Sequence, residues 1–266
     1  MGKSRIVPEE EWRAYLEGTH AGLHRAHRAL GWLPSDPRCR LCSIPFAGAG
    51  RVLGRMSKAN RPWVKNPNLC SRCVVGMSRD EIVGAEVAVS FLFADVRGSS
   101  DLARRLGDRD FTQVMRRFYT IATQTLFDHD AILDKFVGDE VVGFFLPFMA
   151  GPEHPRRAVD AARALLREAG YGTEAGPWLP IGAAVHTGPS FVGFVPRGLD
   201  SEFTALGNTV NVAAHLAAQA KAGEILITEE VRAALRADGL DRRHLSLKGH
   251  ELDAFVIPAE TTAHLS

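Results

Sequence analysis

The sequence predicts a mixed α/β protein, an α+β sandwich in which helices cover one face of a sheet, behind a small N-terminal region of different character. Three observations carry that prediction. Val87, Val89, Phe91, Leu92 and Phe93 form a near-continuous apolar run, as in a strand covered on both faces. From Glu86 onward, apolar stretches of strand length alternate with stretches of helical period. Two of the strands, Ala131–Phe136 and Glu140–Leu146, are spaced to pair through the tight turn Val137-Gly138-Asp139. The resulting order is β-α-β-β-α-β with additions.

The bulk numbers bound the rest. A chain of 266 residues can bury a full core and carry an appendage. Basic and acidic side chains nearly cancel, 32 against 31, which argues against nucleic acid as a partner. No apolar run reaches the ~18 residues that span a bilayer, so no membrane span is expected. Met1–Glu10 is polar and lacks a signal-peptide core. A cytoplasmic protein is the expectation.

Taken in order, residues 1–33 carry Trp12, Leu16, Leu23, His24, Ala26 and Leu30 at roughly helical spacing, which predicts one helix over 8–31. It stops before Pro34. Residues 34–75 are rich in Pro, Gly, Arg and Asn and hold all four cysteines, Cys39, Cys42, Cys70 and Cys73. The spacing C-x2-C-x27-C-x2-C, with no export signal, points to a four-thiolate metal site. One zinc ion per chain is the favoured occupant, ahead of an iron–sulfur cluster. A segment so poor in apolar residues would draw most of its folding energy from that metal. Arg51, Arg55, Lys58, Arg61 and Lys65 make the intervening loop basic, which reads as a solvated loop. Residues 76–85 read as a linker or short connecting helix.

The main domain is expected over 86–258, with 259–266 as a tail. Its first strand stops at Asp95, turns through Gly98 and enters a helix for which Ser99, Ser100 and Asp101 are good N-cap residues. Phe111, Val114, Phe118, Ile121 and Ala122 mark the apolar face of that helical stretch. A second helix is expected near Pro155–Ala169. Strands follow at Pro180–His186, Phe191–Val195 and Phe203–Leu206, then a helix at Asn208–Gln219. Strands Ile225–Thr228 and Asp253–Pro258 flank a short helix and the turn Leu247-Lys248-Gly249. A carboxylate at a strand end, beside the bare N–H groups of a helix start, suits a phosphate bridged by a divalent cation. Asp139, at the hairpin tip, supplies a second carboxylate on a neighbouring strand end. Alone it would be an ordinary turn residue, but the pair can hold two cations against a triphosphate.

Phe93-Ala94-Asp95-Val96-Arg97-Gly98-Ser99-Ser100, Lys135-x-x-Gly138-Asp139, His186-Thr187-Gly188 and Thr204-Ala205-Leu206-Gly207-Asn208-Thr209-Val210-Asn211-Val212-Ala213-Ala214 occur in that order. Together they resemble the motif series of the class III nucleotide cyclases. The resemblance implies a ferredoxin-like βαββαβ catalytic domain that converts ATP to 3′,5′-cyclic AMP and pyrophosphate. It implies that Asp95, Asp139 and the carbonyl of Val96 bind two Mg²⁺ or Mn²⁺ ions. Gly98, Ser99 and Ser100 would lie against the phosphates, and Lys248 would reach the triphosphate. Lys135 and Thr204 match the base-reading pair, with lysine suiting the N1 acceptor of adenine. Asn211 would orient the ribose. In such proteins two copies pack head to tail, Asp95 and Asp139 coming from one and Lys135, Thr204 and Asn211 from the other. A homodimer then has two equivalent sites.

One position departs from the pattern. The family usually has an arginine four residues after the asparagine, where this chain has His215. Imidazole is shorter and only partly protonated near neutral pH, and losing a phosphate-clamping arginine costs on the order of 10³ in rate. The chain is then a slow or pH-sensitive cyclase, or another cation such as Arg97 or Lys248 takes the role. The alternatives are a cyclase for GTP or a pyrimidine triphosphate, and a catalytically weak nucleotide-binding regulator. Gly138-Asp139-Glu140 also prompts a diguanylate cyclase, but Val137 and Val141 flank it here and the later motif favours class III.

Overall fold

A computed structural model describes residues 8–32, 37–48, 60–63, 66–77, 83–197, 200–247 and 250–259. In chain order, α1 (Glu9–Leu16) and α2 (Ala21–Leu30) precede a hairpin of β1 (Pro62–Trp63) and β2 (Asn66–Cys70), then α3 (Ser71–Met77). Next come β3 (Val83–Val96), α4 (Ser99–Asp128), β4 (Ile132–Val137), β5 (Glu140–Phe145), α5 (Pro147–Ala150) and α6 (His154–Glu168). The chain continues through β6 (Ile181–Arg197), β7 (Asp200–Leu206), α7 (Asn208–Gln219), β8 (Glu224–Thr228), α8 (Glu229–Leu235), β9 (Asp241–Leu247) and β10 (His250–Pro258). It divides into two compact units. One comprises Met1–Ala88, Leu146–Pro152 and Pro189–Leu206; the other comprises Val89–Phe145, Glu153–Gly188 and Gly207–Ser266.

In the first unit the single helix expected over 8–31 is two helices. The break follows Leu16, where Gly18 takes a φ of +77°, a left-handed conformation that glycine adopts without strain. His20 caps α2 by accepting from the N–H of Gly22 at 3.1 Å, and Tyr15 stacks on its ring at 3.8 Å. Trp12 is buried and meets Phe194 edge-on at 6.4 Å, while Arg13 donates to the carbonyl of Glu86 at 3.1 Å. Phe194 packs in turn on Phe203 of β7. Helix α1 therefore shares a core with strand residues far along the chain. Truncating a buried side chain as large as Trp12 would cost roughly 3–5 kcal/mol. Helix α3 reaches Met77 and β3 begins at Val83; residues 78–82 of the linker expected over 76–85 lie outside the described residues.

The second unit holds the main sheet, in the order β4-β5-β3-β6-β8-β10-β9. It is mixed: β3 and β5 pair antiparallel from Ser90↔Phe145 to Asp95↔Glu140, whereas β6 and β8 run parallel through Ala183↔Ile225. The apolar run of β3 is buried as its composition requires. Helices α4 and α6 pack on one another and on β4 and β5. Ala158, Val159, Ala162, Leu165 and Leu166 of α6 are all buried.

Several expectations change in detail. The buried face of α4 is Met115, Phe118, Ala122 and Leu126; Phe111, Val114 and Ile121 are half-buried. Its N-cap is Gly98, at φ +68°, with Ser99 and Ser100 as the first helical residues and no side-chain cap. The left-handed turn excludes the extended backbone that a capping serine needs, so glycine takes the position. Pro180–His186 and Phe191–Val195 are one continuous strand, β6, whose far half pairs with β7. Strand β9 adds to the expected order: its polar run Asp241-Arg242-Arg243-His244 gives no apolar alternation, and it forms the edge of the sheet beside β10.

Candidate active site

Strand β3 delivers Asp95 to the sheet end, and the β4–β5 hairpin delivers Asp139 beside it. The hairpin is held in place: the N–H of Val96 donates to the carbonyl of Asp139 at 3.3 Å, and the hydroxyl of Tyr119 on α4 donates to the carbonyl of Gly138 at 2.6 Å. Tyr119 also lies 4.5 Å from the ring of Phe136. Asp95, Val96, Gly98, Ser99, Ser100 and Asp139 line a depression of about 280 Å³ at the N-terminus of α4, joined by Arg97 and Asp101. The structure thus brings together the two carboxylates and the helix start that the sequence singles out.

Two further residues belong here. Arg97 pairs with Asp95 through its guanidinium, and its backbone N–H donates to the carbonyl of Pro180 at 2.7 Å. Glu140 stands directly opposite Asp95 in the ladder. Burial pushes Asp95 up to about 6; Arg97 opposes the shift, and the charge and hydrogen bond of Asp139 add to it. Burial likewise pushes Glu140 up to about 7, helped by the charges of Asp95 and Asp139 and opposed by Arg97. Asp95, Asp139 and Glu140, with Arg97 paired to Asp95, form a site that favours added positive charge. Glu140 was not among the residues picked from the sequence. The signal available was its place at the first position of a strand, in register with Asp95.

Other residues stand apart. Lys135 is on β4, exposed, with its ammonium 3.0 Å from Asp134. Asn211 and His215 lie one turn apart on α7, exposed and half-buried respectively. Thr204 is buried on β7, in the first unit. Lys248 lies outside the described residues. His186 and Thr187 of the third motif make contacts within the fold: His186 Nδ1 is 2.9 Å from the hydroxyl of Thr228, and the hydroxyls of Thr187 and Ser90 lie 2.6 Å apart in a partly buried contact.

In the first unit the four cysteine sulfurs lie within 4.8 Å of one another. Cys39 and Cys70 are buried, Cys42 and Cys73 half-buried. The hairpin and the start of α3 build the cluster: Cys70 N–H donates to Cys39 Sγ at 3.3 Å and Cys73 N–H to Cys70 Sγ at 3.4 Å. Hydrogen bonding among the thiols holds Cys39 and Cys70 below the ordinary thiol range and pushes Cys42 and Cys73 above it. Cys42 and Cys70 sulfurs are 3.7 Å apart, close to the roughly 3.8 Å edge of a tetrahedron with metal–sulfur bonds of about 2.3 Å. This donor set can hold a metal ion. No helix among the described residues is long and apolar enough to cross a membrane.

The profile of the family described as "Adenylate and Guanylate cyclase catalytic domain" matches residues 84–259. Among curated proteins, Uncharacterized protein Rv1318c of Mycobacterium tuberculosis is 28% identical over 179 residues, covering 65% of this chain and 32% of the relative. Uncharacterized protein Rv1319c of the same organism is 27% identical over 180 residues, covering 65% and 33%. The chain spans about a third of the length of these relatives. Among solved structures, the adenylyl cyclase CyaB from P. aeruginosa superposes with a TM-score of 0.57 at 24% identity, over 66% of this chain and 96% of that one. The guanylyl cyclase Cya2 superposes with a TM-score of 0.56 at 21% identity, over 65% and 91%. These structures share the mixed α+β fold. The chain belongs to the class III nucleotide cyclase family, whose catalytic domain it carries over residues 84–259.

Proposed function

We propose that this chain is an adenylate cyclase, converting ATP to 3′,5′-cyclic AMP and pyrophosphate at a site completed by a second copy of itself. The observation that carries the reading is the convergence of Asp95 and Asp139 on the depression at the start of α4. The carboxylates offer hard oxygen donors, as Mg²⁺ and Mn²⁺ require. Asp95, Asp139 and the carbonyl of Val96 would hold two such ions, which when bound supply the charge that acidifies the ribose 3′-hydroxyl and neutralises the phosphates. The chain's own residues do the remaining work. The N–H groups at Gly98, Ser99 and Ser100 receive phosphate oxygens. Lys135 leaves Asp134 and donates to adenine N1. Asn211 orients the ribose so that its 3′-oxygen lies in line with the α-phosphorus. The new oxygen–phosphorus bond forms as the bond to the bridging oxygen breaks, releasing pyrophosphate and one proton. His215 stands in the place of the family's arginine. We assign the four thiols to one zinc ion per chain, as a structural support.

Incubation of the purified protein with each of the four ribonucleoside triphosphates and Mn²⁺, with products identified by mass, tests this reading. The expected product is cyclic AMP, and Asp139→Ala lowers its formation by on the order of 10³-fold while the fold is kept. A cyclic product from another nucleotide alone would overturn the choice of base. No product from any of them would favour a nucleotide-binding regulator.

A further inference from the structure

Arg97 supplies the one cation among the described residues lining the depression, and its position is tightly specified. It occupies the turn between β3 and α4, with its backbone N–H on the carbonyl of Pro180 at 2.7 Å. Its guanidinium reaches in two directions. One nitrogen pairs with the Asp95 carboxylate, and another donates to the carbonyl of Ala218, in the last turn of α7, at 3.3 Å. Its Nε adds a 3.4 Å contact to the backbone carbonyl of Asp95. Arg97 therefore stands between a carboxylate that the proposed chemistry needs for a cation and the helix that bears Asn211 and His215.

We propose that Arg97 is a further catalytic residue, which occupies the cation seat on Asp95 before substrate arrives and then transfers to the nucleotide's phosphate oxygens. This rests on the cyclase reading above. A divalent ion on Asp95 repels a guanidinium bound to the same carboxylate, so the two compete for it. The backbone bond to Pro180 keeps the displaced arginine at the rim, where Gly98, Ser99 and Ser100 await phosphate. A planar guanidinium grips two phosphate oxygens at once and stays charged throughout. Charge placed there before the reaction stabilises the departing pyrophosphate without reorganisation. The half-buried His215 needs no proton for this step.

Arg97→Ala and Arg97→Lys test the proposal in two independent ways. The first is Mn²⁺ binding to the nucleotide-free protein, followed by electron paramagnetic resonance. Loss of the competing ion pair tightens binding in Arg97→Ala by roughly 5-fold. The second is steady-state turnover of Mn-ATP, which falls about 10²–10³-fold in Arg97→Ala with little change in KM. Arg97→Lys keeps the charge but not the fork, and falls between the two. Weaker Mn²⁺ binding in Arg97→Ala would overturn the proposal, because it would make Arg97 a mere support for Asp95. Turnover within about twofold of the parent would overturn it equally. A parent protein that yields no cyclic product sinks the cyclase reading, and with it the phosphate half of the proposal; tighter Mn²⁺ binding would still support the competition at Asp95.

Discussion

Asp95 and Glu140 stand opposite one another in the antiparallel ladder of β3 and β5, both half-buried, at the end of the sheet that carries the candidate site. Side chains directly opposite across a ladder share a face, so like charges there repel. With Asp139 beside them and Arg97 as counter-charge, the arrangement is less stable empty than filled with positive charge.

The pair makes stability depend on pH. Burial raises Glu140 from 4.5 to about 7 and Asp95 from 3.8 to about 6. The folded state then holds protons that the unfolded chain has released, so stability contributed below the unfolded values is lost as pH rises through about 6 and 7. Glu140→Gln should flatten that loss and melt higher than the parent above neutral pH, by roughly 2–4 °C for each kcal/mol relieved. Thermal melts of both proteins across that window, without divalent ions, check this.

His154 predicts the opposite slope on the acid side. It is buried on α6, its Nδ1 is 2.8 Å from the hydroxyl of Ser90, and burial drives it from 6.5 down to about 4. A depressed value means stability present above the unfolded value and lost as pH falls toward the folded one. The loss is on the order of 3 kcal/mol when complete. His154→Gln should be less stable near neutrality and markedly less sensitive to acid. Urea unfolding midpoints at several pH values measure both.

The thiol cluster should contain about one zinc per chain in four-sulfur coordination. Cys39 and Cys70 are fully buried, so metal removal leaves buried thiols with repulsive or unmet partners. Chelation should unfold the hairpin of β1 and β2 while the main sheet persists, read by hydrogen exchange of the two regions. Metal analysis showing iron with visible absorbance would reverse the choice of metal.

His215→Arg should raise kcat more than it changes KM, since a guanidinium in that place acts on transition-state charge. His215 and Ala218 share the helix that Arg97 touches. Restored arginine should therefore recover part of the activity lost in Arg97→Ala. Kinetics of the two single variants and the double variant give the coupling.

The sequence by itself determined the strand at Val87–Phe93, the hairpin of Val137-Gly138-Asp139, the apolar face of α6, and the four-cysteine spacing. Each is a local pattern, since burial on both faces, a two-residue turn and C-x2-C knuckles depend only on near neighbours. Asp95 and Asp139 were legible for the same reason, because one closes a strand and the other sits at a hairpin tip. Only the tertiary structure decided what could not be local. Whether Glu140 joins the site depends on the register of β3 against β5, and whether Arg97 is free depends on Asp95 and on a carbonyl of α7. The packing of Trp12 on Phe194 spans most of the chain, so helical spacing around Trp12 could show an apolar face but not its partner. Even the break at Gly18 belongs here. Either one helix or two would satisfy the period of residues 8–31, and Tyr15 stacked on His20 selects two.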